Sequence, residues 1–142
     1  MQLSTKARYA ARALVELALS YGEGPVKLKD VAGKQNISLK YLEQVMFPLR
    51  INGYVKTHKG SQGGYTLSRP PEKINLYEVI QCVEGSLSTV DCVDNPDLCE
   101  RVELCVTRNV WVGLKEAIYK ELSSITLDEL AKKQSLLYKA KE

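Results

Sequence analysis

The sequence predicts a mainly α-helical fold with one β-hairpin, and three observations support this prediction. Apolar residues recur at helical spacing in several segments of the chain. Two short β-favouring runs flank a glycine-rich stretch at residues 60–64. The chain has 142 residues, of which 44% are hydrophobic, so it can bury one core as a small domain with an extension.

Two helices are predicted in the first quarter of the chain. Ser4 or Thr5 can cap the first helix, and the segment 21–25 ends it. The apolar residues of this helix repeat at intervals of three and four, as Ala10, Ala13, Leu14, Leu17 and Ala18. The second helix is short, over about residues 28–34, and its inward residues are Leu28, Val31 and Ala32.

A third helix is predicted to begin after Ser38, which can act as its N-cap. One stripe of this helix is expected to be buried, formed by Leu42, Val45, Met46 and Leu49. Asn52 and Gly53 end the helix, because glycine adopts the left-handed conformation there without steric cost. Pro48 should kink or shorten the helix, since it lacks an N–H and its ring clashes with the carbonyl of Gln44.

A β-hairpin follows, with strands predicted within residues 54–59 and 65–68 around the glycine-rich turn. Helix, helix, turn, helix and hairpin, in that order, describe a winged helix-turn-helix, which we place at residues 1–69. In such a unit the second helix of the helix-turn-helix pair enters the major groove of DNA. The first half of the chain is therefore expected to read double-stranded DNA.

The second half is predicted to form four parts. Residues 70–85 contain a connecting helix, with a capping signature in Asn75 and Glu78. Residues 86–105 show no periodicity and are expected to be a loop. Residues 106–133 contain a long helix and a short C-terminal helix, and residues 134–142 are expected to fray. The long helix has a broad apolar stripe, which must pack on its own domain or on a second copy of the chain.

The distribution of charge also changes at the boundary after residue 69. Residues 1–69 hold 11 Lys and Arg against 4 Asp and Glu, whereas residues 70–142 hold 9 against 13. A basic half is typical of a chain that meets a polyanion. No run of 18 apolar residues and no secretory pattern occur, so we expect a cytoplasmic protein without a membrane partner.

Nine residues are predicted to contact DNA: Arg8, Ser38, Lys40, Tyr41, Glu43, Gln44, Lys56, His58 and Lys59. Gln44 can pair with adenine, and Glu43 can accept from the amine of cytosine, so that replacing Glu43 should relax sequence preference. The basic residues of the hairpin suit phosphates or the minor groove. His58, the only histidine, is interpreted as a surface residue among lysines and not as a metal ligand.

Three of the four cysteines lie in the loop, as Cys92, Cys99 and Cys105, with six and five residues between them. In a chain without an export signal this spacing favours metal, cluster or redox chemistry over a disulfide scaffold. An iron–sulfur cluster requires thiolates from a flexible segment. Zinc with Cys82 as a fourth ligand, reversible disulfides, and ordinary core cysteines are alternatives that the spacing leaves open.

Motifs along nearly the whole chain resemble the IscR-type iron–sulfur cluster regulators, a family of homodimeric bacterial winged-helix transcription factors. The motifs are Arg8-Tyr9-Ala10, the run from Ile37 to Gln44, Asn52-Gly53-Tyr54-Val55, the run from Lys59 to Tyr65, and the three-cysteine loop followed by Val110-Trp111. The resemblance implies a dimer formed through the long helix after residue 106. It also implies that a pseudo-palindromic operator is read.

The resemblance further implies that Cys92, Cys99 and Cys105 ligate an iron–sulfur cluster, with 2Fe–2S favoured and 4Fe–4S as the alternative. The best-known members have a histidine ligand three residues after the last cysteine. Here that position is Arg108, which stays protonated and cannot ligate iron. The fourth ligand is left open among a loop carboxylate, Thr107, water, Cys82 and a group from the partner's first helix.

We therefore predict a transcription regulator that senses iron–sulfur cluster status and controls genes of cluster assembly. A thiol-sensing or zinc-stabilised repressor of the same fold is the alternative. An enzyme is not expected, because the sequence has no Ser/His/Asp set, no glycine-rich phosphate loop and no paired catalytic carboxylates. No small-molecule substrate is expected either.

Overall fold

The computed structural model describes residues 2–142 and confirms the mainly helical fold with one hairpin. The helices and strands follow in the order α1 (Thr5–Leu19), α2 (Leu28–Gln35), α3 (Leu39–Ile51), β1 (Val55–His58), β2 (Gly64–Leu67), α4 (Leu76–Glu84), α5 (Asp91–Asp94), α6 (Val106–Ser123) and α7 (Leu127–Ala140). Short 3₁₀ turns lie at Pro71–Lys73, Pro96–Leu98 and Val102–Leu104. Within residues 2–142, no helix has the length and apolar character that crossing a membrane requires.

Side-chain caps fix where several helices begin. Ser4 Oγ accepts from the backbone N–H of Ala7 at 3.0 Å, and Ser38 Oγ accepts from Tyr41 N–H at 3.1 Å. Asn75 and Glu78 form the predicted capping box at the start of α4, with each side chain bound to the other residue's N–H. Each cap satisfies a backbone donor that has no partner inside its helix.

The core lies between α1, α3 and the helices that follow the hairpin. The predicted stripe of α3 is fully buried, and so are the small residues of α1 that let neighbouring helices approach closely. The start of α7 joins the start of α4 through backbone hydrogen bonds from Leu76 to Ile125 and from Leu127 to Ile74. The C-terminal segment therefore packs on the same core as the N-terminal half.

The hairpin pairs β1 with β2 in antiparallel register, from Val55 opposite Leu67 to His58 opposite Gly64. A side chain on Gly64 would meet the carbonyl of Val26 at 2.4 Å, and φ at Gly64 is +153°. Glycine is therefore needed where the hairpin crosses the chain before α2. Backbone hydrogen bonds between Val26 and Tyr65, at 2.8 and 2.9 Å, hold this crossing.

Two expectations are corrected by the structure. Helix α3 is not shortened at Pro48, because the proline lies in its last turn and the helix continues to Ile51. The tail at residues 134–142 is not frayed, because α7 is a helix of 14 residues that reaches Ala140. Tyr138 fixes this helix by donating a hydrogen bond to the buried carboxylate of Glu16 on α1.

Candidate DNA-binding surface and cysteine loop

The outward side of α3 carries most of the residues predicted to read bases. Helical spacing places Lys40, Glu43 and Gln44 opposite the buried stripe, and all three side chains are exposed. Ser38 lies at the N-terminus of the same helix as its cap. The geometry presents the first two turns of α3 to solvent, which is where a recognition helix meets base edges.

Tyr41 differs from its neighbours because it is half-buried. Its ring packs edge-on against Tyr9 of α1, with the ring centroids 5.8 Å apart and the planes at 83°. Arg12 lies over the other ring, with its guanidinium carbon 5.0 Å from the Tyr9 centroid. This stack ties the first turn of α3 to α1 and limits the positions that Tyr41 can take.

The hairpin presents the predicted wing residues Lys56, His58 and Lys59, all of them exposed. His58 Nε2 lies 2.9 Å from the hydroxyl of Thr66 on the opposite strand, so the ring is held on the wing. Arg8 is exposed on α1, where its guanidinium donates to Thr5 Oγ1 at 3.1 Å. Eight of the nine predicted contact residues are thus exposed, Tyr41 is half-buried, and their contact with DNA stays a prediction.

The prediction from sequence missed a polar cluster around one buried carboxylate beneath the helix-turn-helix. Glu16 is only 3% exposed, and its carboxylate accepts from Gln35 at 2.5 Å and from the hydroxyl of Tyr138. Gln35 is the last residue of α2, directly before the turn that leads to α3. Arg12 donates to the side-chain oxygen of Gln35 at 2.8 Å and to its backbone carbonyl. One feature of the sequence could have indicated that Glu16 is buried. It follows Ala13 by three residues, which places it on the predicted buried side of α1.

The Glu16 cluster also changes the acidity of the tyrosine that closes it. Burial, followed by the hydrogen bond to Glu16, raises the pKa of Tyr138 to about 12. The phenol is therefore a neutral donor throughout the physiological pH range. Lys34 Nζ lies 3.9 Å from the other carboxylate oxygen of Glu16 and is mostly exposed. The cluster thereby links α1, the end of α2 and α7.

The three loop cysteines occupy different local structures. Cys92 is half-buried on α5, Cys99 is exposed after the 3₁₀ turn Pro96–Leu98, and Cys105 directly precedes α6. All three are free thiols. Across residues 2–142, no group of three or more Cys, His, Asp or Glu side chains is close enough to hold a metal ion. The structure therefore places the three thiols on one loop but does not bring them together as a site.

The local structure around Cys105 favours its thiolate. Hydrogen bonds lower its pKa, first from the hydroxyl of Thr107 at 3.2 Å and then from the backbone of Arg108. A lower pKa increases the fraction of thiolate, which is the form that binds iron. Three sulfur donors fit three of the ligand positions of an iron–sulfur cluster. Arg108, which stands where the fourth ligand is expected, does not supply one.

Arg108 has a structural role in place of the expected ligand. Its Nε donates to the backbone carbonyl of Cys92 at 3.3 Å, which ties α5 to the first turn of α6. The carboxylate of Asp94 makes a second tie to α6, because it accepts a hydrogen bond from Lys115 Nζ at 2.6 Å. It also accepts from Ser88 Oγ at 2.7 Å within the loop. The hydrogen bond from Lys115 is the main reason that the pKa of Asp94 lies well below its usual range. The loop is thus held against α6 through two residues of α5, Cys92 and Asp94.

Cys82 lies apart from the other thiols. It is half-buried on α4, and its Sγ lies 3.5 Å from the carbonyl of Pro48 on α3. Burial raises the pKa of this thiol, which opposes thiolate formation. A role in packing α4 on α3 fits these observations better than a role as the fourth ligand.

Comparisons with known proteins give one consistent result. The profile of the Rrf2 family, described as an iron-dependent transcriptional regulator, matches residues 3–133. The transcriptional regulator IscR of Xenorhabdus nematophila is 42% identical over 137 residues, which cover 96% of this chain and 83% of the relative.

Two solved structures are similar to this chain in both fold and sequence. CymR, the global cysteine regulator of Bacillus subtilis, has a TM-score of 0.78 and 37% identity, and the match covers 93% of this chain and 97% of that one. IscR of T. potens has a TM-score of 0.77 and 39% identity, with 94% and 88% covered. The resemblance predicted from the motifs is confirmed, and the relatives include both the IscR and the CymR types.

Proposed function

The chain belongs to the Rrf2 family of transcription regulators, and from this premise we propose that it is a homodimer that senses iron–sulfur cluster status through Cys92, Cys99 and Cys105. It is a regulator of the IscR and CymR type and not an enzyme. The genes that it controls include those of cluster assembly, and it acts in a bacterial cytoplasm. DNA is read as a pseudo-palindrome by two copies of α3.

The proposal of base reading rests on the outward side of α3. Its exposed Glu43 and Gln44 can meet base edges, while Lys40 and the wing lysines neutralise phosphates. The basic first half of the chain, with 11 Lys and Arg against 4 Asp and Glu, matches the charge of this target. The exposed outward side of α3 is the single observation on which the DNA-reading part of the proposal depends.

Dimerisation is supported by α6, which has no fully buried residue among the described residues of the protomer. Val106, Val110, Gly113 and Ala117 are exposed and follow one another at helical spacing along one side of this helix. Helical spacing places Leu114, Ile118 and Leu122 on a different side, and these are half-buried. An exposed apolar seam with two small residues suits close packing against a second copy of α6.

The cysteine loop and the dimer helix share residues, which gives the proposed sensing a physical route. Cys105 is the N-cap of α6. Arg108 and Lys115 of α6 bind Cys92 and Asp94 of α5 and so hold α5 against α6. When bound, the cluster supplies cationic iron that thiolates bind and that responds to oxidants. A change in the order of the loop is thereby transmitted to the first turns of α6, which set how the two recognition helices are placed.

A second candidate function is a thiol-sensing or zinc-stabilised repressor without a cluster. Two observations favour it: Arg108 stands where the histidine ligand is expected, and the three thiols are not assembled as a metal site within the described chain. The similarity to CymR, whose structure is described as that of a cysteine regulator, points the same way. The two candidates differ in metal content, so a single measurement separates them.

The test is to purify the protein without oxygen and to count iron, sulfide and zinc per chain. We expect iron and sulfide in the wild type and a large loss of both in Cys92→Ala, Cys99→Ala and Cys105→Ala. Cys82→Ala is the matched control and should retain the cluster, because Cys82 packs against α3. Zinc without sulfide, or metal-free protein with reversible disulfides, would contradict the cluster and support the second candidate.

A further inference from the structure

An aromatic ring lies on the outward side of α3, next to the residues proposed to read bases. Phe47 is 55% exposed and follows Gln44 by three residues, close to one turn further along the helix. At 100° per residue, Phe47 points within a few tens of degrees of Lys40 and Gln44 and away from the buried stripe. The ring therefore continues the proposed reading surface and takes no part in the core.

One cation contacts this ring, and a second lies on the same side of the helix. The guanidinium carbon of Arg50 lies 5.6 Å from the Phe47 centroid, and Lys40 is exposed on the same side of α3. A single exposed apolar residue needs no explanation, but an aromatic ring that contacts one cation and shares its side of the helix with another suits an anionic partner with an apolar group. A second copy of this surface would set like charges against each other and is disfavoured.

The spacing along the helix fits one feature of the major groove. Three residues of α-helix rise by about 4.5 Å, and successive base pairs of one strand lie about 3.4 Å apart. When Gln44 is at one base pair, Phe47 reaches the next one or two. The apolar group that base edges display in this groove is the C5-methyl group of thymine, which phenylalanine contacts in known complexes.

We propose that Phe47 is a specificity residue that reads the methyl group of a thymine in each operator half-site. The proposal rests on α3 as the reading helix of the proposed function. Arg50 holds the ring in place and offers its remaining donors to the neighbouring phosphate. The ring adds discrimination at one base pair beyond those that Glu43 and Gln44 reach.

The test starts from duplexes with a randomised centre, from which the wild type and Phe47→Ala each select their preferred sequences. In the wild-type sequence, each thymine is then replaced by deoxyuridine, which removes only the methyl group. We expect uracil at one position per half-site to weaken wild-type binding about fourfold, the effect of one buried methylene-sized group. Phe47→Ala should lose the preference for thymine there and should bind both duplexes equally.

Two control variants make the outcome specific. Phe47→Leu keeps an apolar contact and should keep part of the uracil effect. Leu136→Ala removes a side chain that is 66% exposed on α7, and it should select the same sequence as the wild type. Because Phe47 is exposed, thermal melting of each variant should match the wild type.

The outcomes separate this inference from the proposed function. A wild-type protein that selects no sequence would overturn base reading by α3 and the inference with it. A selected sequence in which uracil weakens the wild type and Phe47→Ala equally at every position would overturn the inference alone. Loss of self-association in Phe47→Ala with an unchanged selected sequence would also overturn it, because the ring would then be a contact between copies.

Discussion

Arg108 is the residue at which the chain departs most from the cluster-binding pattern. Its guanidinium binds the backbone carbonyl of Cys92 and cannot coordinate iron. The same residue therefore stabilises the loop, and in the proposed cluster it would leave one coordination position without a ligand from residue 108. A cluster held by three thiolates and a weak fourth donor is expected to be lost readily in air.

Replacing Arg108 by histidine is expected to strengthen cluster binding, because a neutral imidazole is an established ligand in iron–sulfur proteins. Arg108→His purified without oxygen should retain more iron and sulfide than the wild type. Its visible absorbance should also decay severalfold more slowly on exposure to air. Arg101→His is the matched control, since Arg101 is exposed in the same loop and should change neither quantity. Equal decay in all three proteins would show that position 108 is not near the cluster.

Among the elements, α3 was the easiest to predict and α7 the hardest. The cap at Ser38 and the buried stripe of α3 are local signals, so both its start and its buried side followed from the sequence. The end of α7 depends on a contact between Tyr138 and Glu16, which are 122 residues apart. A lysine-rich segment with weak periodicity gives no sign of such a distant partner, which is why a frayed tail was expected.

The candidate site, too, could be predicted where local signals determine it and not where distant contacts do. The exposed side of α3 could be assigned by helical spacing alone, because exposure is the complement of a strong buried stripe. The arrangement of the cysteine loop could not, since α5 is held by Asp94 and Lys115, 21 residues apart, and not by any apolar period. The cluster around Glu16 was missed because one acidic residue on a helix is ordinarily assigned to the surface.

Removing the hydroxyl of Tyr138 tests what α7 contributes to stability. Tyr138→Phe leaves the buried carboxylate of Glu16 without one donor, which should lower the free energy of unfolding by about 1–3 kcal/mol at neutral pH. Urea denaturation measures this difference. Tyr119→Phe is the matched control, because Tyr119 is 54% exposed and its ring packs on Tyr77. A loss of similar size in both variants would contradict a specific role for the Glu16 contact.

The Tyr138 contribution should also depend on pH in a defined direction. The pKa of Tyr138 is raised in the folded protein from 10.0 to about 12, so the folded state favours the protonated phenol. The stabilisation is therefore complete below pH 10.0 and is lost as the pH rises through about 12. The difference between the wild type and Tyr138→Phe should shrink over that interval and stay constant below it.

For the whole molecule, the proposed homodimer depends on the seam on α6. Val110→Glu places a charge at a residue that is 60% exposed in the protomer but central to the proposed dimer contact. We expect sedimentation to show a shift toward monomer, with helical content retained and operator binding weakened at least tenfold. Leu137→Glu adds the same charge at an α7 residue that is 62% exposed, and it should remain dimeric. A dimeric Val110→Glu protein would place the dimer contact elsewhere.

The link between Tyr138 and Glu16 also bears on how the chain is made. A ribosome adds residue 138 long after residue 16, so Glu16 lacks this donor while residues 17–137 are being synthesised. Products of interrupted translation that end before Tyr138 would carry all nine predicted DNA-contact residues on a less firmly held scaffold. The end of α7 thus completes the support beneath a helix-turn-helix that was synthesised well before it.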